Sequence, residues 1–172
     1  MKAGMLGKWA AGAALALAMT AGSLCAAAQD GTVLKADDAR KILPPSVYYK
    51  AQSAPTQLRN SGGVKFADGY YVLAMMVDTS GYSSDVATKY QAYFIAEVPI
   101  KIGGHELAAG IYGIGFIADN KFVVTDVGAH ELFTVNYITD EAMKRPVPLQ
   151  VTKDEAGSYR LYTGRKYVTF SR

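Results

Sequence analysis

The stretch Ile100–Gly128, IKIGGHELAAGIYGIGFIADNKFVVTDVG, decides the fold. Two apolar runs, Ile111–Ala118 and Lys121–Val127, flank Asp119-Asn120, a pair that tolerates the left-handed conformations of a tight hairpin turn. With those two residues as the turn, Ala118 faces Lys121, Ile117 faces Phe122, Phe116 faces Val123 and Tyr112 faces Val127. One face of this hairpin then carries Tyr112, Ile114, Phe116, Val123, Thr125 and Val127. The other carries Ile111, Gly113, Gly115, Ile117, Phe122, Val124 and Asp126. Both faces are largely apolar, so the hairpin belongs inside a packed structure. Gly113 and Gly115 leave a gap on one face, which an aromatic ring, another backbone or a ligand can enter. Tyr112, Gly113, Gly115, Phe116 and Phe122 are the candidate ligand contacts, although in one register they do not share a single face.

Working outward, Tyr70–Asp78 reads as a strand apolar on both faces, closed by Thr79-Ser80-Gly81. Gln91–Ile100 is a second central strand. Its Ala92, Phe94, Ala96 and Val98 face is drier than that of Gln91, Tyr93, Ile95 and Glu97. Val47–Gln52 and Gln57–Phe66 are weaker strands, interrupted by Pro55 and by Ser61-Gly62-Gly63. Leu132–Ile138, Leu149–Thr152, Tyr159–Tyr162 and Lys166–Ser171 complete the strand set, with turns at Asp154–Gly157 and Thr163-Gly164. Ala36–Leu43 reads as a short helix stopped by Pro44-Pro45. Ser83–Lys89, with Ser84 as a cap, and Asp140–Lys144 read as single helical turns. Eight or nine short strands without repeat or linker predict a mainly β fold: a single-domain antiparallel β-sandwich or closed barrel with a short N-terminal helix.

Residues 1–28 read as a cleaved signal peptide. Lys2 and Lys8 precede an Ala/Leu-rich run from Trp9 to Met19, and Ala26-Ala27-Ala28 offers a small-residue cleavage site. Cys25 follows Leu24, where a lipid attachment site has a small residue. The remainder, 29–172, forms one domain, periplasmic or secreted. Losing Lys2 and Lys8 lowers the basic count from 18 to 16 against 15 acidic residues, a net charge of +1. Such a balance argues against nucleic acid as a partner. The mature chain has no cysteine, which excludes thiolate metal sites, iron–sulfur clusters and cysteine nucleophiles. No permanent membrane span is expected in it. All 12 tyrosines lie in this part, as suits a β-rich domain.

The residues Lys101-Ile102-Gly103 through Leu107-Ala108-Ala109-Gly110-Ile111-Tyr112 resemble a segment of secreted bacterial β-rich proteins of uncharacterised function, in which Leu-x-x-Gly-x-Tyr starts a central strand. The likeness covers about a fifth of the mature chain, and Gly before an aromatic strand start is common chemistry. It implies an exported β domain and brings no site residues.

Among chemical motifs, Gly110-x-x-Gly113-x-Gly115 lacks the dinucleotide spacing and runs into a strand, and neither a P-loop nor a Gly-x-Ser-x-Gly elbow occurs. The only two histidines stand in His105-Glu106 and His130-Glu131, near the open end of the hairpin. Converged, they would offer two imidazoles and two carboxylates to a zinc-like ion. Asp78, Glu97 and Asp126 lie in or beside apolar strands, where burial would raise a carboxyl pKa and a wet face would not.

The sequence therefore favours an exported non-enzymatic β-domain, without cofactor, binding a small apolar or aromatic ligand or a cell-envelope partner. A small hydrolase or metal-dependent enzyme at His105 and His130 is one alternative. An outer-membrane β-barrel is another, and it needs a polar lumen that strands apolar on both faces do not provide.

Overall fold

The computed structural model describes residues 30–172; the proposed signal peptide, with Cys25, lies outside them. In chain order the elements are β1 (Gly31–Leu34), α1 (Ala36–Ala39), β2 (Ser46–Tyr49), β3 (Gln52–Phe66), β4 (Tyr71–Val77), α2 (Ser84–Lys89), β5 (Ala92–Ala96) and β6 (Ile100–Ile102). They continue with β7 (His105–Leu107), β8 (Gly110–Phe116), β9 (Lys121–Thr125), β10 (Glu131–Asn136), β11 (Ile138–Thr139), β12 (Val147–Lys153), β13 (Tyr159–Gly164) and β14 (Lys166–Ser171).

Two antiparallel sheets result. The first runs β1-β3-β4-β5-β8-β9-β10, with β2 beside β3, and the second runs β12-β13-β14-β6-β7, with β11 beside β14. Neither closes on itself, so the fold is sandwich-like and the barrel alternative falls. Alternation along each strand supplies the core between the sheets. Val64, Phe94, Ile114, Phe122 and Val124 from the first sheet meet Ile102, Val151, Tyr159, Leu161 and Phe170 from the second.

The first sheet is covered on its outer face too. Leu73, Met75, Val77 and Tyr93 pack there against Ala39 and Leu43 around α1, Val47, Tyr49 and Ala54 of the β2–β3 hairpin, and Val86 and Tyr90 at α2. This second layer is why β4 and β8 are apolar on both faces, as an interior strand must be.

The β8–β9 hairpin turns at Asp119 and Asn120, with φ of 57° and 56°. Its register nevertheless differs from the one predicted. The Ile117 N–H donates to the Lys121 carbonyl at 2.8 Å, and the Lys121 N–H to the Ala118 carbonyl at 3.2 Å. Ile117 and Ala118 thus share one partner, and Phe116 faces Phe122 instead of Val123. One extra residue reverses the facing of all of β9. Tyr112, Ile114, Phe116, Phe122 and Val124 therefore share the inner face, and Gly113, Gly115, Val123 and Thr125 the outer.

Other boundaries also moved. The interruptions expected at Pro55 and Ser61-Gly62-Gly63 lie inside the 15-residue β3. The strand absorbs three extra residues between Gln57 and Ser61, where its pairing with β4 jumps from Met76 to Met75. That bulge swings its first half out with β2 as an arm across the outer face. Beyond Ala96 the chain leaves the first sheet through Glu97-Val98-Pro99, where Pro99 has no N–H to give a ladder, and Ile100–Ile102 joins the second sheet. Ser83, not Ser84, occupies the cap position of α2. The expected helix at Ala36–Leu43 is regular only to Ala39, and Asp140–Lys144 is a turn.

Candidate functional site

Tyr112, Phe116 and Phe122 are core residues, 9 % exposed or less, and the Tyr112 hydroxyl donates to the Ala108 carbonyl at 3.0 Å. Gly113 and Gly115 sit on the opposite face, so the five candidate contacts divide between two layers. The gap at the glycines is occupied by the protein itself. Tyr49 and Tyr90 stack with ring centroids 3.6 Å apart. A Cβ on Gly113 would lie 2.8 Å from the Tyr49 ring and 2.9 Å from that of Tyr90. The Thr125 hydroxyl donates to the Gly113 carbonyl at 3.1 Å and so accepts from the Tyr49 hydroxyl, 2.6 Å away. Over Gly115 lies the Lys89 carbonyl, at the end of α2. Gln91 locks that junction, accepting the Phe116 N–H at 3.0 Å and donating to the Phe116 carbonyl at 3.2 Å.

The two His-Glu pairs stay apart. His105, on the second sheet, stacks against Phe133 at 4.8 Å, whereas His130 Nδ1 lies 3.0 Å from Asp126 Oδ2 in the loop between β9 and β10. Glu131 pairs with Lys89, and Glu106 lines a separate hollow with Pro99, Lys101 and Arg172. Among the described residues no three His, Cys, Asp or Glu side chains cluster as a metal site would require. Two of the carboxylates beside apolar strands are stabilised as anions. Asp126 is held below the ordinary carboxyl range by the His130 N–H and imidazole, and Asp78 by the Ser80 N–H. Glu97 accepts the Tyr71 N–H at 2.8 Å.

Beside the filled glycines, on the same outer face, runs an open groove of about 590 Å³ that sequence reasoning missed. Tyr93 and Ile111 come from β5 and β8, Tyr48 and Tyr49 from the arm, Lys50 and Ala51 from its tip, and Val127 and Gly128 from the chain after β9. Its walls stand open: Tyr48 is 65 % exposed, Val127 47 % and Ile111 43 %. The arm is fixed in place at its tip. The Lys50 N–H donates to the Val127 carbonyl at 2.8 Å, and the Tyr82 hydroxyl reaches the Tyr49 and Gln52 carbonyls at 3.0 and 3.2 Å.

Lys50 and Ala51 form the two-residue turn between β2 and β3, both left-handed, with φ of 47° and 59°. Asn and Gly take such positions readily and Lys-Ala does not, so the turn carries strain at the mouth of the groove. This is also why the groove was hard to see: a Lys-Ala pair announces no hairpin. The legible signals were Tyr48-Tyr49, an outward and an inward tyrosine in succession, and Ile111 in line with the two glycines.

Searches of protein-family models, curated proteins and solved structures return no match to this chain. The site's chemistry therefore rests on its walls. They are aromatic and aliphatic, with the tyrosine hydroxyls and backbone as polar groups and Lys50 as the single charged side chain. Among the described residues no helix is long and apolar enough to cross a membrane.

Proposed function

We propose that this chain is an exported, non-enzymatic binding domain that holds a small apolar or aromatic ligand between the arm and the first sheet. The observation that carries the reading is the groove with Tyr48, Ile111 and Val127 exposed along it, large apolar side chains gathered in one open hollow. A preformed site favours this use, because a pinned arm gives up little freedom when a ligand enters. Export is supported by the leader-like residues 1–28, in which Lys2 and Lys8 precede an Ala/Leu-rich run and a small-residue cleavage site. With His105 on β7 stacked against Phe133 and His130 in the β9–β10 loop bound to Asp126, the histidines give no support to a hydrolase or metal enzyme.

Titration with the neutral fluorophore N-phenylnaphthylamine tests this. Saturable binding is expected, and Tyr48→Ala with Ile111→Ser should weaken it by about tenfold or more, through lost apolar contact. No binding by the wild type, or equal binding by a variant that still unfolds cooperatively, would sink the proposal.

A further inference from the structure

We infer that the ligand of this groove is a planar apolar anion, a free small molecule such as an aromatic carboxylate, whose charge pairs with Lys50. The inference rests on the binding role just proposed and adds the charge of the ligand to it.

Lys50 is the only charged residue in the wall, and it makes no ion pair within 4 Å among the described residues. Its neighbours are differently engaged. Lys89 is paired with Glu131. The Asp126 carboxylate beside Val127 faces its own loop, where it accepts the Gly128 N–H at 2.8 Å, the His130 N–H at 2.9 Å and the His130 imidazole. Asp85 lines a smaller hollow of about 140 Å³ on the other flank of Lys50, with Tyr49, Val86 and Lys89. The larger groove therefore has no carboxylate in its wall and one cationic residue, Lys50, which also borders the smaller hollow.

The backbone fixes the root of that side chain at the rim. The left-handed turn places Lys50 at the tip, the Val127 carbonyl holds its N–H, and the Tyr82 hydroxyl ties the residues on either side of the turn. A flat apolar body lying along Tyr48, Tyr93 and Ile111 has its polar end within reach of Lys50, and an anion there gains where a cation is repelled. The volume, about 590 Å³, suits a molecule of a few rings.

Anilinonaphthalene sulfonate and N-phenylnaphthylamine share a ring skeleton and differ by one sulfonate, which makes them a matched pair. The sulfonate is expected to bind the wild type about fivefold tighter at low ionic strength, a preference that fades toward about 0.5 M salt. Lys50→Asn removes the charge while suiting the left-handed turn, and should bring the affinity ratio to about one; Lys144→Gln, in the loop between β11 and β12, should leave the ratio unchanged. A wild-type ratio near one, a ratio indifferent to salt, or one unchanged in Lys50→Asn overturns the charge assignment, and binding of the neutral probe alone then keeps the groove reading. Failure of both probes to bind overturns both.

Discussion

Gly115 and Gly113 sit two residues apart on one strand, yet their neighbours differ in how far they can yield. An alanine at Gly115 meets the backbone carbonyl of Lys89, whose carbon would lie 2.8 Å from the new Cβ, and a helix end cannot step aside as a side chain can. At Gly113 the obstacles are the Thr125 hydroxyl and the rims of two rings. Gly115→Ala should therefore cost about 3 kcal/mol and Gly113→Ala about half of that, read from urea midpoints at unchanged slope. A Gly115→Ala protein within about 0.5 kcal/mol of the wild type would contradict the packing described at the end of α2. At this scale the sequence was partly legible. Alternating glycines said that something approaches β8, and an aromatic ring was the ordinary expectation. Which ring it would be was hidden, because Tyr49 and Tyr90 arrive from segments far from the hairpin in sequence.

Elements were read better by existence than by register. β4 and β14 stand close to where periodicity puts them, because uninterrupted apolar or alternating runs leave little choice. The β8–β9 register was missed by one residue because Asp119-Asn120 marks the turn but not the doubled Ile117-Ala118 beside it. The β2–β3 hairpin was read as two weak strands, Val47–Gln52 and Gln57–Phe66, because proline and paired glycines usually end one; here both lie inside β3, Pro55 in the arm and Gly62 where β12 comes close, its Cβ position being 3.3 Å from the Val151 nitrogen. The arm's own turn offers a test at this scale. Replacing Ala51 with glycine exchanges the left-handed cost of about 1–2 kcal/mol for the smaller entropic cost of glycine. Ala51→Gly should raise stability by about 0.5 kcal/mol, measurable as a higher urea midpoint, and a loss of stability would show that the turn is unstrained.

For the whole molecule, the buried tyrosines set an alkaline limit. Burial raises the phenols of Tyr49, Tyr90, Tyr93, Tyr112 and Tyr159, most strongly that of Tyr90, whose hydroxyl has no hydrogen-bond partner among the described residues. The folded state thus keeps its protons to higher pH than the unfolded chain, where tyrosine ionises near 10. Stability from this source is complete below about pH 10 and declines above it. Melting temperature followed from pH 8 to about 11.5 should fall in step with tyrosinate absorbance appearing on unfolding, and Tyr90→Phe should soften the decline; free ionisation of all 12 tyrosines near pH 10 in the folded protein would refute it. A mainly β, antiparallel fold was legible from strand count and spacing, but the choice of sandwich over closed barrel was not, because it depends on which strands end each sheet unpaired. The groove was not, since it exists only where the arm crosses the first sheet.

The second sheet carries a consequence for the order of assembly. β14 lies between β13 and β6, with Phe170 opposite Ile102 and Ser171 opposite Lys101, and it also holds β11. The short β6–β7 hairpin therefore has no long partner until residues 166–171 have arrived, and half of the central core waits with it. Closing so wide a loop is entropically costly, and a β topology built on such non-local pairings is expected to fold on the order of milliseconds to seconds in a stopped-flow experiment.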